Sequence, residues 1–361
     1  MGAFAVVSCA GTKARSVFRL SRRRVRKNRH VDHDLGDSVT TIASKRVLAT
    51  LLCVLAVSTA ALAASINPPT SPQTSPAMND KEKANLKFVL DWWREVIEGG
   101  HMELSSKYQH DDYIQHNPNL PTGRAAFVTF FQNVVGVKPK NPIPETLARA
   151  PVVTGAKGDF VFLIFESEQK NPNDANQTFR SNSFEVLRLE NGKVQEHWDS
   201  QKRMKLPAGA PAASFEQPKS HPERGNAGSL SAEEKRNLEI GTMELKDMLQ
   251  YGHLELADKV MDPGYIQHNP NVPQGRDGFK QYMSRVPGRT PQEIKPEWVR
   301  PPLLTLVSGP YVVFLFERMD KNPNDLSKEY AWTHFDVIRI ENGLIKEHWD
   351  EAVIAPATPA R

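Results

Sequence analysis

Cysteine is nearly absent from this sequence. The 361 residues contain only two, Cys9 and Cys53, and both lie within the first 64 residues. The rest of the chain therefore has no disulfide, no thiolate nucleophile and no cysteine-ligated metal site. Its folded parts must be stabilised by their apolar cores.

The folded part also lacks an excess of positive charge. The whole chain has a net charge of +4, but residues 1–64 hold eleven Lys and Arg against three Asp. That segment has a net charge of +8, which leaves −4 for the remainder. A basic surface for phosphate is therefore not expected outside the leader, and we predict no nucleic-acid partner.

Long apolar runs are limited to one, residues 47–63, which follows Lys45-Arg46. A basic start, an apolar stretch and a small-residue ending predict a secretory signal cleaved near Ala63 or Ala64. The alternative is a retained membrane anchor, although about 17 residues is at the short limit for spanning a bilayer. We expect an exported protein, periplasmic or secreted, that contacts the membrane only if the signal is not cleaved.

The remaining sequence contains a long internal repeat. Residues 113–127 return as residues 265–279, with eleven of fifteen positions identical, and Glu-His-Trp-Asp occurs at both 196–199 and 347–350. A repeat of about 150 residues is too long for a solenoid unit and long enough for a domain with its own core. The sequence therefore predicts two tandem copies of one domain.

Composition sets the domain boundaries. The Pro/Ser-rich segment 65–79 and the Pro/Ala/Gly-rich segment 202–230 are typical of a flexible spacer and an interdomain linker. The predicted organisation is a leader with a signal peptide, a spacer, domain 1, a linker and domain 2, over residues 1–64, 65–79, 80–201, 202–230 and 231–354.

Each copy begins with helical periodicity and ends with strands. Residues 86–97 show apolar positions at helical spacing, and Ser231-Ala-Glu-Glu234 is a capping box. The later part of each copy has apolar runs and an Asn-Gly hairpin signal, at 191–192 and 342–343. This order predicts an α+β fold in which the helices pack on one face of an antiparallel sheet.

The motif Tyr-Ile-Gln-His-Asn-Pro-Asn-x-Pro-x-Gly, followed by a hairpin ending in Glu-His-Trp-Asp, resembles the SnoaL-like polyketide cyclases of the NTF2-like superfamily. The resemblance covers residues 84–201 and 236–353. It implies two cones, each a curved sheet wrapped around N-terminal helices with an apolar pocket at one end. It also implies metal-free, cofactor-free acid–base chemistry by an Asp on the last strand, which maps to Asp199 and Asp350.

The surroundings of Asp350 depend on the hairpin register. A two-residue turn would place Asp350 opposite Phe335, with His348 on the same face. A three-residue loop with a bulge would place it opposite His334, so that His334, Asp336, His348 and Asp350 share one face. The sequence leaves both registers open.

The catalytic candidates are the terminal-strand residues and the histidines of the repeated motif. They are Asp350, His348, His334, His268, Asp199, His197 and His116. The candidate substrate-binding residues are Asn269, Asp336, Tyr265, Asn117 and Tyr113. The two Asn side chains also fit turn caps, and Trp198 and Trp349 are expected on the opposite sheet face. A metal trio of His116, His197 and Asp199 lacks the short ligand spacings of a dedicated site, so no metal is predicted.

The copies differ at one informative place. Trp332-Thr-His334 in the second copy corresponds to Ser181-Asn-Ser183 in the first. Domain 2 is therefore expected to be the active copy if His334 assists the chemistry. The favoured function is a cofactor-independent cyclase or isomerase acting on a small apolar carbonyl compound, in a chain whose two domains pack as an intramolecular pseudo-dimer. One alternative is a non-enzymatic binder of a small molecule, in which Asp350 forms a structural salt bridge. Another is a purely structural pseudo-dimer, which predicts no cavity.

Overall fold

A computed structural model of the protein describes residues 64–206 and 218–357. The predicted signal segment lies outside the described residues, apart from its last position. Among the described residues, no helix is long and apolar enough to span a membrane.

Domain 1 contains helices at its start and strands at its end. Its elements are β1 (Ala64–Ser65), β2 (Gln73–Thr74), α1 (Asp80–Trp92), α2 (Ser105–Tyr108), β3 (Gln109–Gln115), α3 (Arg124–Phe130), β4 (Val153–Lys157), β5 (Phe160–Lys170), β6 (Gln177–Glu190) and β7 (Lys193–Asp199). A π-helical turn extends α1 through Trp93–Glu98, and another follows α3 at Phe131–Val135. A 3₁₀ turn at Met102–Leu104 precedes α2.

Domain 2 repeats this order. Its elements are α4 (Ala232–Thr242), α5 (Ala257–Val260), β8 (Met261–Gln267), α6 (Arg276–Met283), β9 (Leu304–Ser308), β10 (Tyr311–Asn322), β11 (Asp325–Glu341) and β12 (Leu344–Asp350). A π-helical turn at Met243–Met248 follows α4, and 3₁₀ turns lie at Pro222–Arg224 and Leu254–Leu256. Ser231 and Glu234 form the predicted capping box.

Each domain has one mixed sheet. The order in domain 1 is β2-β4-β5-β6-β7-β3, with β1 added to β6, and the order in domain 2 is β8-β12-β11-β10-β9. The strand of the Tyr-Ile-Gln motif runs parallel to the last strand of its domain, as β3 with β7 and β8 with β12. The long hairpin strands are antiparallel, and the predicted α+β class with two tandem copies is confirmed.

The inner face of each sheet packs on the helices of its own domain. Alternate residues of β5, including Val161 and Leu163, join Leu86 and Val89 of α1 in one core. In domain 2, Val312 and Phe314 of β10 pack with Ile240 of α4 and its neighbours in the same way. The helices therefore cover the inner faces, as the sequence predicts.

The outer faces of the two sheets pack against each other. The shared cluster includes Phe162, Trp198 and Trp349, and the rings of Phe184 and Phe335 are stacked with their centroids 5.5 Å apart. Both faces of the central strands are thus buried. This explains why these strands have nearly continuous apolar sequences instead of alternation.

Residues 65–79 differ from the expected flexible spacer. This segment, here called the N-terminal strap, runs as β1 and β2 along the sheet of domain 1 and also contacts domain 2. The Asn67 amide donates to the carbonyls of Arg180 and His268, at 3.0 and 2.7 Å. Ser75 Oγ donates to the Ser308 carbonyl. Polar side chains in the strap therefore satisfy buried backbone groups of both domains.

The described parts of the predicted linker, residues 202–206 and 218–230, also lie against folded structure. Ser220 Oγ accepts a hydrogen bond from Trp198 Nε1 at 3.1 Å, and the His221 amide donates to Glu196 at 2.7 Å. On the other side of the gap, Lys202 forms an ion pair with Asp320. The linker segments are thus attached to both domains.

A buried ion pair joins the domains near the start of α4. Lys157 Nζ lies 2.7 and 2.8 Å from the two carboxylate oxygens of Glu234, and both side chains are less than a tenth exposed. Glu234 also accepts from the amides of Ser231 and Gly309. One carboxylate therefore caps α4 and pairs with the other domain at the same time.

We predict that Lys157→Met lowers the free energy of unfolding by about 3–5 kcal/mol, because it leaves the Glu234 charge buried and unpaired. The double variant Lys157→Met/Glu234→Gln should recover most of this loss, since glutamine can still cap the helix. Urea unfolding followed by tryptophan fluorescence measures both effects. A loss in the single variant no larger than in the double variant would contradict this role for the pair.

Candidate functional site

The hairpins at the end of each domain combine a tight turn with a bulge. Asn191-Gly192 and Asn342-Gly343 occupy the two turn positions with φ between 47° and 77°, as a primed two-residue turn requires. The pairing then shifts by one residue, between Arg188 and Leu189 in domain 1 and between Arg339 and Ile340 in domain 2. The turn therefore does not set the register at the far end of the hairpin.

The bulge places Asp350 opposite Asp336, and Asp199 opposite Glu185. Both expected partners of Asp350, Phe335 and His334, are therefore wrong. The two-residue turn is right, but the extra residue after it moves every later pair by one position. The predicted sharing of one face by His334, Asp336, His348 and Asp350 is nevertheless what the structure shows.

In domain 2 these residues form a cluster of ion pairs on the inner face. His348 Nε2 lies 3.0 Å from Asp336 Oδ1, and His334 Nε2 lies 3.1 Å from Asp336 Oδ2. His334 Nδ1 also contacts the Glu351 carboxylate. Asp336 is thus held between two imidazole rings.

Glu244, a residue that the sequence analysis missed, completes the cluster. It is fully buried in the π-helical turn after α4, and its Oε1 lies 2.9 Å from His348 Nδ1. The equivalent position in domain 1, 152 residues earlier, is Trp92, whose ring contacts His197 edge-on at 5.8 Å. Aligning the two helices from their capping boxes would have shown this replacement of Trp by Glu.

Domain 1 arranges its histidine differently. His197 Nε2 lies 2.7 Å from Glu185 Oε2, while its Nδ1 faces the Tyr113 hydroxyl at 2.8 Å and the Gln115 amide at 3.2 Å. Because the amide can only donate, Nδ1 accepts and Nε2 donates to Glu185. The histidine of domain 1 therefore has one carboxylate partner, where that of domain 2 has two.

The repeated Asn residues contact the terminal Asp side chains. Asn117 Nδ2 donates to Asp199 Oδ2 and Asn269 Nδ2 donates to Asp350 Oδ2, both at 2.8 Å. The same side chains cap a turn, since Asn117 Oδ1 and Asn269 Oδ1 accept from the amides two residues on. Each Asn therefore caps a turn, as one interpretation predicts, and also contacts a candidate catalytic residue, as the other requires. The turn thus orients the Asp carboxylate.

His116 and His268 lie on the other side of the sheet. Their rings stack on Trp198 and Trp349, with centroid distances of 5.2 and 4.7 Å. Both Trp side chains belong to the interdomain cluster, as their strand positions predict. The structure therefore separates these two histidines from the inner-face carboxylates, because Trp and Asp alternate along the strand.

Their contacts suit them to support the interface. His116 Nε2 lies 2.8 Å from Glu196, and His268 Nε2 lies 2.9 Å from Glu347. The strap residue Thr70 lies 3.2 Å from the other ring nitrogen of His268. Tyr113 and Tyr265, by contrast, do lie on the inner face and are fully buried, and burial raises the pKa of both hydroxyls well above the usual value.

Burial and charge move the pKa values of the paired carboxyls in opposite directions. Burial raises the pKa of Asp350, and the negative charges of Glu351 and Asp336 add to this effect. Burial opposes ionisation of Asp336 as well, but the neighbouring His334 and His348 hold its pKa far below the usual range. In domain 1, burial and the charge of Glu185 raise the pKa of Asp199.

The two histidines of domain 2 are stabilised as cations. Although burial disfavours their charged form, Asp336 and Glu351 raise the pKa of His334 to about 10. Glu244 and Asp336 raise the pKa of His348 well above 6.5. Two imidazolium groups therefore lie beside a protonatable Asp in one cluster.

A cleft of about 560 Å³ adjoins this cluster in domain 2. Its wall includes Phe316 and Trp332, whose rings lie 6.1 and 6.0 Å from the His334 ring. His334 thus connects this wall to Asp336 through its ring contacts and its ion pair. Arg300, Arg318 and Met319 also line it. Its volume is in the range of small-molecule sites.

The inner faces also offer metal-ligand atoms. In domain 1 these are on Glu185, His197 and Asp199, and in domain 2 on Asp336, His348 and Asp350, within 4.8 Å of one another in each set. Neither set includes His116, so the trio of His116, His197 and Asp199 that the sequence analysis set aside does not form. Both ring nitrogens of His348 already contact carboxylates, so an ion there would have to displace Asp336 or Glu244.

No family model matches the chain, and no curated protein matches it. Solved structures similar to parts of the chain include a putative polyketide cyclase from Acidithiobacillus ferrooxidans, with 19% identity, a TM-score of 0.25, and coverage of 34% of this chain and 89% of that one. A putative SnoaL-like polyketide cyclase from Jannaschia sp. CCS1 has 16% identity, a TM-score of 0.24 and coverage of 34% and 88%. An NTF2-like protein of unknown function from Mesorhizobium loti has 14% identity, a TM-score of 0.25 and coverage of 35% and 97%. Each of these likenesses covers about a third of this chain, which is close to the length of one of its two domains.

The raised pKa of His334 predicts how stability depends on pH. Since its pKa in the folded state is about 10 and its unfolded value is about 6.5, its contribution is complete below pH 6.5 and lost as the pH rises towards 10. Over this window, the free energy of unfolding should fall more steeply in the wild type than in His334→Gln. The difference is up to about 1.4 kcal/mol per pH unit.

Urea unfolding at half-unit pH steps measures this difference. His348 remains in the variant, so some dependence on pH should persist there. Parallel curves for the two proteins between pH 6.5 and 10 would show that His334 is not held as a cation.

Proposed function

We propose that domain 2 is a cofactor-independent acid–base enzyme of the cyclase, isomerase or aldol type, acting on a small apolar carbonyl compound. The observation that carries this proposal is the cross-strand pair of Asp336 and Asp350, whose pKa values are displaced in opposite directions. Such pairs are typical of sites that use one carboxyl for charge and another for proton transfer.

Asp350 is the proton-transfer group in this proposal. Its carboxylate removes a proton from the carbon next to a substrate carbonyl, and the electron pair moves into the new carbon–carbon double bond and onto the carbonyl oxygen. The same proton can then be returned to another carbon, or the enolate carbon can attack a second carbonyl. A raised pKa brings an Asp closer to the range useful for both steps.

The enolate oxygen requires positive charge or hydrogen-bond donors. His334 and His348 supply charge, because Asp336, Glu244 and Glu351 keep both rings protonated. His334 is the nearer of the two to the cleft, through its contacts with Phe316 and Trp332. We therefore assign enolate stabilisation to His334 and place His348 behind it.

The hydrogen bonds of Asp350 favour this enzyme over the alternative of a non-enzymatic binder. A binder predicts a structural salt bridge for Asp350. Within residues 64–206 and 218–357, its carboxylate accepts hydrogen bonds from Asn269 and from the Ala352 amide and forms no ion pair. These neutral donors orient the carboxylate without neutralising it.

Domain 1 has a different role in the proposal. Ser183 replaces His334, and Trp92 replaces Glu244, so these two positions supply neither a second imidazole nor an extra carboxylate. We propose that domain 1 mainly completes the sheet-to-sheet interface, as one half of an intramolecular pseudo-dimer. Export with signal cleavage near Ala63 or Ala64 is also proposed, and such cleavage would leave the N-terminal strap in place.

Deuterium exchange of apolar ketones in D₂O, 2-tetralone among them, tests the assignment by NMR. We expect the wild type to accelerate exchange at the carbon next to the carbonyl, and Asp350→Asn to lose about 100-fold or more of that rate. Asp199→Asn is the matched control in domain 1 and should retain the activity. Dialysis against a chelator should leave it unchanged.

Equal rates for Asp350→Asn and the wild type would remove the catalytic role of Asp350. An equal loss in Asp199→Asn would show instead that both domains take part. Loss of exchange on chelation would favour a metal ion at the Asp336, His348 and Asp350 set.

A further inference from the structure

We propose that the substrate of domain 2 carries a carboxylate, which Arg300 and Arg318 bind at the lip of the cleft. This inference rests on the proposed function, since it names the chemical class of compound on which Asp350 acts. Neither arginine takes part in the proton transfer proposed for the inner face, so their role would be recognition of the substrate.

The first observation is that neither arginine forms an ion pair within the described residues, although Glu317 and Asp320 line the same cleft. Arg300 and Arg318 both line the cleft, and Arg318 is only partly exposed. Within the described residues, neither guanidinium forms a hydrogen bond or ion pair with the protein; Arg318 lies over the Phe316 ring at 5.6 Å. Arg339 of the same domain, by contrast, is paired with Glu347.

The second observation is that like charges are held together. The pKa of Arg318 is lowered by burial and by the charge of Arg300, against the opposing effect of Asp336, Glu351 and Asp320, the last of which is itself paired with Lys202. Arg289, which also lacks an ion pair in the described chain, has its pKa lowered by burial and by Arg300 as well. Neighbouring guanidinium groups without a counter-ion destabilise one another, and an anion between them would relieve this repulsion.

The shape and surface of the cleft select the rest of the ligand. Phe316, Met319 and Trp332 provide apolar and aromatic surface beside the two guanidinium groups. Glu317 and Asp320 also line the cleft, and Asp320 is paired with Lys202. Arginine binds carboxylates in a planar, two-point geometry and stacks on aromatic rings. An aromatic or alicyclic acid of moderate size fits both properties, whereas a large polyanion does not suit a chain with a net charge of −4 after its leader.

Electrostatics would also orient such a ligand. The inner face at His334 holds three carboxylates, of Glu244, Asp336 and Glu351, against the two imidazole rings that they pair with, so a permanently charged carboxylate is less favoured there than at the two arginines. The carboxylate of the substrate therefore remains at the arginine end, and its uncharged carbonyl end points towards His334 and Asp350. The arginines thus position the reacting carbon as well as contributing to affinity.

Domain 1 provides an internal contrast. The position equivalent to Arg318 is Ser167, and the one equivalent to Arg300 is Arg149. Arg149 lies over the Phe165 ring at 5.4 Å and donates to the Glu166 carbonyl at 3.2 Å. Only domain 2 has two arginines at these positions, in agreement with a single active copy.

Two naphthalene probes test the proposal on the protein that begins at Ser65. The anion is 2-naphthoate and its neutral counterpart is 2-acetylnaphthalene, and calorimetry and tryptophan quenching measure their affinities. We expect the wild type to bind the anion at least about 10-fold more tightly than the ketone. Arg300→Gln and Arg318→Ser should each weaken binding of the anion about 10- to 100-fold and leave the ketone within about 2-fold.

Arg236→Gln is the matched control, because it removes the same charge from the exposed face of α4. Arg236 lies near Glu234, which contacts Gly309 at the opposite end of β10 from Arg318, so binding should not change. Circular dichroism and the urea midpoint verify folding of each variant. Within residues 64–206 and 218–357, neither Arg300 nor Arg318 has an ion pair that its substitution would remove.

Binding of 2-naphthoate that is equal in the wild type and both arginine variants, or undetectable in all of them, would overturn the proposal. Tighter binding of inorganic phosphate at the same arginines would overturn the assignment to a carboxylate. The ketone-exchange assay is separate from these measurements. If the anion binds through the arginines but no ketone exchange is seen, the proposed enzyme activity is ruled out and the anion site stands. If exchange is seen but binding of the anion does not depend on the arginines, the anion site is ruled out and the enzyme proposal stands.

Discussion

Apolar packing on both faces of each sheet is the constraint on which the rest of the structure depends. The inner faces meet the helices and the outer faces meet each other, so Phe162 and Trp349 are as buried as Val161 and Phe314. A polar side chain on a central strand then has little water to contact, and it must find a partner inside the protein. This explains why each histidine of the repeated motifs is hydrogen-bonded to a carboxylate, on whichever face it lies.

Burial of both sheet faces has different consequences for the polar residues of the outer face and of the inner face. On the outer side, His268 is stacked on Trp349 and bonded to Glu347 and Thr70, so its polar atoms are satisfied within the interface. On the inner side, domain 2 concentrates more carboxyl groups than cations around His348. Not all of these carboxyls can be ionised at low cost. Asp350 accepts hydrogen bonds from neutral donors in the described chain, and burial raises its pKa, with the charges of Glu351 and Asp336 adding to the effect.

The sequence alone was sufficient for the tandem copies, the α+β class and the opposite orientations of Asp350 and Trp349, because these follow from repeats and from alternation along a strand. It was not sufficient for the pairing of Asp350, since a bulge near Lys346 adds one residue that no turn signal encodes. His268 was misplaced for a related reason: it follows the last residue of its strand, where alternation no longer fixes a direction. Glu244 was missed because its partner is 104 residues away.

Domain 2 has ionisable side chains at several positions where domain 1 has uncharged ones. At three equivalent positions domain 1 has Trp92, Ser167 and Ser183, and domain 2 has Glu244, Arg318 and His334. Each replacement adds an ionisable side chain on the inner face or at its lip, where charge is costly unless it is paired or used. Glu244 and His334 are paired within the cluster, whereas Arg318 forms no ion pair in the described chain. In domain 2 the added carboxylate and the added imidazole are thus paired, and the added guanidinium is not. A substrate carboxylate would give this guanidinium a partner.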